Sequence, residues 1–329
     1  MHTKLAKKLK IDLKDRKILA ILDWNARTTN SEIAKKIMLS KKGVEYRIKR
    51  LERLGFIDGY YPIIDFIKLG YKINRMLIQL KHTEEKIKTE IEEYIHKDKD
   101  IHWALWFRGR YDFGFDVWAR SNSEFKKIFR KFQNKFGKYI KNKTYSTSAG
   151  LSHYPYSFLV GEKDPRKITI DETGETAELK DIDKKILKEL AKDARQNIID
   201  IARKLKVNYK TISNRIKYLE KTKILLGTRA NINAPLLGYR YYKLMLTFDH
   251  NIEEAFEKSE KFFKKRIETV YIVDYIGSQD FDVELVVESD NDFFKILEEI
   301  QAELKDLLKD HTYFGFTKTI KVTYLPELD

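Results

Sequence analysis

The 329-residue chain contains no cysteine. That excludes disulfide frameworks, cysteine zinc sites, iron–sulfur clusters and thiol nucleophiles, and it fits a reducing compartment. Glutamine is also scarce, five residues beside heavy lysine, isoleucine and glutamate use, a bias common in thermophilic proteins. No apolar run approaches the roughly 18 residues of a membrane span, and the opening Met1-His2-Thr3-Lys4-Leu5-Ala6-Lys7-Lys8 has no apolar leader core. The expectation is a soluble cytoplasmic protein with no membrane partner. Seven histidines are scattered without a His-x-x-x-His or His-Glu-x-x-His pairing, so no metal site is expected. Walker loops, Gly-x-Gly-x-x-Gly and Gly-x-Ser-x-Gly are missing too. The chain therefore reads as a non-enzyme, with no catalytic residue and no cofactor.

What is present is 42% apolar and 13% aromatic residues, enough for several packed cores. The chain is also written twice. Shifted by 168 positions it matches itself at about 21 of 57 ungapped pairs between Asp15/Asp183 and Tyr71/Tyr239, against a chance level of roughly four or five. Asp15/Asp183, Arg27/Arg195, Arg47/Arg215 and Leu69-Gly70-Tyr71/Leu237-Gly238-Tyr239 are among the matches, and the offset persists to Tyr145/Tyr313. A period this long fits a duplicated two-domain module. Lys+Arg outnumber Asp+Glu by 15, which favours polyanionic partners. The surplus is uneven: +9 over residues 1–60, +8 over 61–160, −3 over 161–178, +9 over 179–230 and −8 over 231–329.

The first 60 residues of each copy read as helices. Leu13, Ile18, Leu19 and Leu22 make one stripe, matched by Ile182, Ile186, Leu187 and Leu190. Thr29-Asn30-Ser31-Glu32 is a capping-box pattern. After a break at Met38-Leu39-Ser40, a third helix capped by Ser40 (Asn208 in the second copy) buries Val44, Ile48 and Leu51, or Ile212, Ile216 and Leu219. Phe56 to Ile64 reads as a two-stranded wing turning at Gly59. This is a helix-turn-helix with a basic outer face. The face opposite the buried stripe yields the candidate DNA-contacting set Lys41, Lys42, Glu45, Tyr46, Lys49 and Arg50, and in the second copy Tyr209, Lys210, Ser213, Asn214 and Lys217. Lysine donates to guanine or phosphate, and asparagine bonds adenine bidentately in the major groove.

Each copy continues as strand–helix–strand–strand–helix–strand, a ferredoxin-like order. Ile101-Trp103-Leu105-Phe107 and Phe113-Phe115-Val117-Ala119 alternate toward the helices. The in-between positions Ala104, Trp106, Trp118, Ile272, Ile276 and Val286, mixed with Asp116 and Glu284, are too apolar for a wet face. They predict burial of one such sheet on the other within the chain, with +8 meeting −8. The fold class is α+β: winged helix-turn-helix over 1–64, ferredoxin-like sensor-type domain over 65–160, linker over 161–178, then the same pair over 179–232 and 233–329. Ile168-Thr169-Ile170 in the linker reads as a short edge strand.

A winged helix-turn-helix, then Leu69-Gly70-Tyr71, then a βαββαβ domain with Gly109-Arg110-Tyr111-Asp112 between its middle strands resembles the Lrp/AsnC (feast/famine) transcriptional regulators, over nearly the whole chain and twice. The resemblance implies sequence-specific binding of double-stranded DNA and pairing through the βαββαβ sheets. It also implies an amino-acid effector near the Gly-x-Tyr-Asp turns, hence at Gly109, Tyr111, Asp112, Gly277 and Asp280, and further homo-oligomerisation. Two departures matter. Members of that family usually carry one module per chain, and the second turn here, Gly277-Ser278-Gln279-Asp280, lacks the tyrosine. Gly109 and Asp112 also suit a plain hairpin turn.

Because Glu45/Tyr46/Lys49 differ from Ser213/Asn214/Lys217, two unlike half-sites are expected. Two other readings stand beside this one. Siroheme decarboxylases share paired modules of this kind and resemble it in fold, but their Thr-His-Asn-Tyr segment is matched only by Asp100-Ile101-His102-Trp103-Ala104, and by Thr269-Val270-Tyr271 without a histidine. A sequence-tolerant chromatin-type binder would also fit the basic first half.

Overall fold

The computed structural model describes residues 11–82, 84–171 and 177–328. The opening segment Met1–Lys8 and residues 172–176 of the linker lie outside them. Helix α1 (Leu13–Trp24) starts from a reciprocal Asp12/Asp15 capping box. Helix α2 (Asn30–Ile37) starts at Thr29, whose hydroxyl accepts the Glu32 N–H at 3.2 Å while the Glu32 carboxylate accepts the Thr29 N–H at 2.8 Å, as the pattern predicts. Met38 and its counterpart Lys206 both adopt left-handed φ, 54° and 56°. Leu39 and Val207 then donate to the Ala34 and Ala202 carbonyls, so one turn is closed by the same bonds in both copies. Helix α3 (Lys41–Arg53) is capped by Ser40, which accepts the Gly43 N–H at 3.0 Å, and buries Val44, Ile48 and Leu51.

From Ile57 to Ile64 the chain forms a single strand, β1, and not the expected hairpin. Gly59 lies at a register shift between Ile57 and Tyr60. Strands β2 (Lys72–Leu80), β3 (Ile101–Gly109), β4 (Phe113–Ala119) and β5 (Ile140–His153) enclose helices α4 (Glu85–Lys97) and α5 (Asn122–Phe136) in sequence, and β6 (Ile168–Asp171) follows in the linker. The second copy repeats the series as α6 (Asp181–Lys192), α7 (Ile198–Leu205), α8 (Tyr209–Lys221), β7 (Leu225–Ile232), β8 (Arg240–Phe248), α9 (Ile252–Phe263), β9 (Thr269–Gly277), β10 (Phe281–Val287), α10 (Asp290–Leu304) and β11 (Leu308–Val322). The missing wing strand is supplied across copies: β1 pairs antiparallel with β7, Tyr61 opposite Arg229. These two are repeat counterparts, so the pseudo-twofold axis passes through that pair.

The βαββαβ halves do more than stack. Their strands run β2-β4-β3-β11-β8-β10-β9-β5, and β5 pairs with β2, which closes an eight-stranded antiparallel barrel and removes its edges. Closure depends on the two long last strands. β5 pairs with β2 of its own half through residues 140–147 and with β9 through residues 146–153. β11 does the same with β8 and then β3. Helices α4 and α5 cover one arc, Phe132 packing with Met76, Ile78, Phe113 and Phe115, and α9 and α10 cover the opposite arc, Phe293 and Ile300 packing with Leu244 and Phe281.

Two expectations about the sheets need correction. Ala104, Trp106 and Ile272 point to the helices and Ile276 is 71% exposed, whereas Trp103 and Leu105 face the barrel interior. A bulge explains it: the register shifts between Ile101 and Trp103, and at the same place in the second copy, opposite Thr269 and Tyr271. One extra residue reverses every later side chain. The meeting of opposite charges holds only in part: Arg75–Asp282, Lys99–Glu327 and Arg110–Asp310 cross between the halves, while much of the surplus lies elsewhere. Exposed Lys126, Lys127 and Arg130 lie on α5 and exposed Asp290, Glu298, Glu299 and Glu303 on α10, each facing outward from the barrel on opposite arcs.

At the junction, close backbone approach demands glycine. A Cβ on Gly277 (φ +138°) would lie 2.5 Å from the Tyr145 carbonyl oxygen, while Gly59, at φ +141°, has nothing within 4 Å. Gly277→Ala is therefore expected to cost about 1–3 kcal/mol more than Gly59→Ala, read as the difference in urea midpoints at unchanged m-value.

Candidate nucleic-acid interface and the chamber beneath it

The outer faces of α3 and α8 carry the predicted set. Lys41, Lys42, Tyr46, Lys49, Tyr209, Lys210, Asn214 and Lys217 are exposed, and Glu45 and Ser213 are half-buried. Tyr46 is 66% exposed, a large ring left in water. Lys49 pairs with Glu45 at 2.7 Å along the helix. Arg50 behaves differently, reaching inward to Asp15 at 3.2 Å. Arg47 clamps Asp12 and Asp15, and its counterpart Arg215 clamps Asp183. The arginine–aspartate matches of the repeat thus brace the third helix against the first.

The two helix-turn-helix units are locked to each other by reciprocal bonds. Ala26 N–H donates to Thr228 O at 2.9 Å, and Ala194 N–H to Tyr60 O at 3.0 Å. Arg27 donates to the carbonyls of Ala194 and Gln196, and Arg195 to those of Ala26 and Thr28 and to the Asn30 side chain. In the sequence Arg27/Arg195 stand out only as an identity of the repeat. Their shared position just beyond the first helix was the available signal. One further tie breaks the symmetry. Fully buried Arg229 donates to Asp23, while Asp23 accepts the Tyr156 N–H at 2.8 Å. Tyr61 and Ala191 occupy the counterpart positions. Burial raises the Asp23 carboxyl, and Arg229 and the Tyr156 N–H oppose that. Arg229→Met should cost about 3–5 kcal/mol by stranding a buried carboxylate, and adding Asp23→Asn should recover more than half, both measured by chemical denaturation.

The turns proposed for an effector lie elsewhere, on the barrel. The Asp112 carboxylate accepts the Leu80 N–H at 2.6 Å and the Asp280 carboxylate accepts the Phe248 N–H at 2.7 Å. Tyr111 is buried with Leu77, Phe107 and Phe314 and accepts from Thr144 at 3.3 Å. A Cβ on Gly109 would lie 2.7 Å from Tyr313 O. Gly109, Tyr111 and Asp112 cluster on one hairpin, and Gly277 and Asp280 on its counterpart.

Between the β1–β7 ribbon and the barrel lies a cavity of about 600 Å³, partly open to solvent, whose walls include Trp103, Tyr241, Tyr271, Tyr275, Phe316 and Tyr324. Inside runs a charge ladder across the pseudo-twofold. Arg75 bonds both oxygens of Asp116 at 2.8 and 2.7 Å and reaches Asp282 at 2.5 Å, and Lys243 joins Asp282 at 3.2 Å to Glu284 at 2.7 Å. Arg75/Lys243 and Asp116/Glu284 are counterparts, whereas Asp282 stands where the first copy has Gly114, a position with Leu77 and Phe107 under 3 Å from any Cβ. Burial disfavours the Arg75 charge, yet Asp116 and Asp282 hold it well above its ordinary range.

Two histidines line the same cavity. His102 stacks on Trp118 at 4.0 Å, and His153 meets Tyr271 edge-on. Burial pushes His102 down to about 4 and His153 down to about 3, with Asp116 opposing the first shift and Arg229 adding to the second. An unfolded imidazole titrates near about 6.5. Above that pH both states are neutral and nothing is lost. Below it the unfolded chain takes up protons that the fold refuses, so stability falls with acidification and levels off below about 3. Between pH 7 and pH 4.5 each histidine should account for on the order of 2 kcal/mol. His102→Phe, which keeps the stack, should flatten the slope of stability against pH.

Comparison with known proteins fits these features. A winged helix-turn-helix DNA-binding family model matches residues 11–58 and 179–225. An uncharacterized HTH-type transcriptional regulator of Pyrococcus furiosus is 38% identical over 104 residues, 32% of this chain and 69% of that protein. The HTH-type transcriptional regulator LrpA of Pyrococcus horikoshii is 34% identical over 128 residues, 39% of this chain and 87% of LrpA. Each spans about one module. The crystal structure of the siroheme decarboxylase NirDL superposes with a TM-score of 0.63 at 12% identity, covering 96% of this chain and 94% of that one, a likeness of fold. Among the described residues, no helix is long and apolar enough to cross a membrane.

Proposed function

The chain belongs to the Lrp/AsnC family of HTH-type transcriptional regulators, and from that premise we propose that one molecule grips two unlike half-sites of double-stranded DNA, one with each recognition helix. The observation that carries this reading is the reciprocal lock between the helix-turn-helix units: Arg27, Arg195 and the β1–β7 ribbon hold α3 and α8 about a pseudo-twofold axis. A pair held in this way suits successive major grooves about 34 Å apart. The outer faces then differ in chemistry. Glu45, Tyr46 and Lys49 would read one half-site, and Ser213, Asn214 and Lys217 the other, with Lys41, Lys42, Tyr209 and Lys210 at the helix starts on phosphate or base edges. Arg50, engaged with Asp15, is left out of the contact set.

For the turns, the reading we favour is structural. The Asp112 and Asp280 carboxylates are taken by backbone N–H groups, and Gly109 and Gly277 let the opposite half approach. This supports a role in joining the halves over an amino-acid site at these residues. The decarboxylase reading meets a chemical obstacle. A tetrapyrrole polycarboxylate needs free cations, but Arg75 is held by two carboxylates, Lys243 by two, and Lys318 at the rim by Glu92. These pairings favour the DNA-binding reading over a tetrapyrrole site.

The test is in vitro selection of bound DNA followed by variants. Lys42→Ala or Lys210→Ala should weaken binding almost uniformly across sequences and reduce the slope of log affinity against log salt by about 1. Asn214→Ala should relax base choice in one half-site only, by about 1–3 kcal/mol. Equal loss in both half-sites would overturn the asymmetric arrangement. Equal competition by unrelated DNA would favour a sequence-tolerant binder.

A further inference from the structure

The cavity between the ribbon and the barrel has features that DNA binding leaves unused. Three of its wall residues, His102, Trp118 and His153, are at least nine-tenths buried, and each carries polar atoms with no partner: His102 Nε2, Trp118 Nε1 and both ring nitrogens of His153. Buried polar groups are normally satisfied, and leaving one bare is costly. An internal control shows that the fold does not require it. The counterparts of His102 and Trp118 are Val270 and Val286, fully buried in an apolar cluster with Tyr156 and Phe158. The same scaffold, built twice, is sealed with valines on one side and lined with an imidazole stacked on an indole on the other.

The chemistry of the wall narrows what it would hold. Its buried charges are spent on one another through the Arg75–Asp116 and Lys243–Glu284 pairs joined by Asp282. On the wall itself the uncommitted atoms are neutral: the Trp118 indole N–H donor, Nε2 of His102, and both ring nitrogens of His153, one a donor and one an acceptor when uncharged; the unpaired Oδ1 of Asp282 lies behind the wall. Aromatic side chains form much of the rest of the lining, which suits the faces of a planar ring. Carboxylates outnumber cations in the ladder, so the space disfavours anions. We infer that this cavity is a binding site for an uncharged planar heteroaromatic molecule of purine or pteridine size, held edge-on by His102, Trp118 and His153 and flanked by the aromatic wall.

This inference does not rest on the DNA reading, because it is tested without DNA. The full chain is titrated with adenine, hypoxanthine and pterin, and separately with adenosine monophosphate, following heat and the emission of Trp103 and Trp118. At least one neutral ring should bind, one molecule per chain, in the micromolar to submillimolar range, with the nucleotide at least about tenfold weaker. His102→Val and Trp118→Val, the residues the second copy uses, should each weaken binding by at least about tenfold, Trp118→Val with a lowered melting midpoint because it empties a core position. Leu151→Trp, which fills the cavity from another wall residue, should abolish it and controls for a valine variant that misfolds. The inference fails if none of the three rings binds at millimolar concentration, if the nucleotide binds as tightly as its base, or if binding survives both the valine exchanges and the filled cavity.

Discussion

Backbone hydrogen bonding across the duplicated halves is the constraint on which this molecule depends. β5 and β11 each leave their own half and finish as a strand of the other, and β1 and β7 complete one another. A half taken alone would present open strand edges on both the barrel and the ribbon, an unfavourable state in water. The side-chain ties are laid over that frame. Arg27 and Arg195 cross between the helix-turn-helix units onto carbonyls that the ribbon has already positioned.

Much of this was legible in the sequence because it depends on local rules. The Thr29 capping box and the helix stripes are near-neighbour signals that correspond to observed elements, although Leu13 of the first stripe is exposed, and the 168-residue repeat is visible by comparing the chain with itself. The strand partners were less legible. Nothing near Phe56–Ile64 says that its partner lies 168 residues away, and a glycine in the middle invites a hairpin. The faces of β3 and β9 were misread because alternation assumes an unbroken pleat, and the bulge at His102 and Val270 inserts one residue. Of the candidate DNA contacts, the exposed lysines lie where the helical wheel puts them. Arg50 does not, because an arginine at the flank of a wheel is long enough to turn back to a buried carboxylate such as Asp15.

Duplication followed by divergence explains where the asymmetry sits. Some positions that join the halves kept their residues or their charge, as in Arg27/Arg195, Arg75/Lys243 and Asp116/Glu284, whereas Asp23, Arg229 and Asp282 join them with no like counterpart. On the outer faces of α3 and α8 and in the barrel interior some positions diverged, as in Tyr46/Asn214, Trp118/Val286 and His102/Val270, beside retained pairs such as Lys42/Lys210 and Lys49/Lys217. Fusion in one chain makes this possible. In a homodimer every substitution appears on both sides of the axis, so an asymmetric reader or a one-sided cavity could not be built from identical subunits.

The crossing of the last strands also bears on how the protein is made. β3 pairs with β11, the last strand of the second copy, so its outer edge stays bare until that strand is made. The N-terminal half must therefore emerge from the ribosome as an unfinished sheet and wait. Its completion time is set by translation and by long-range chain closure, both slow beside local helix formation. During that interval the nascent half is most open to mispairing with a neighbouring chain.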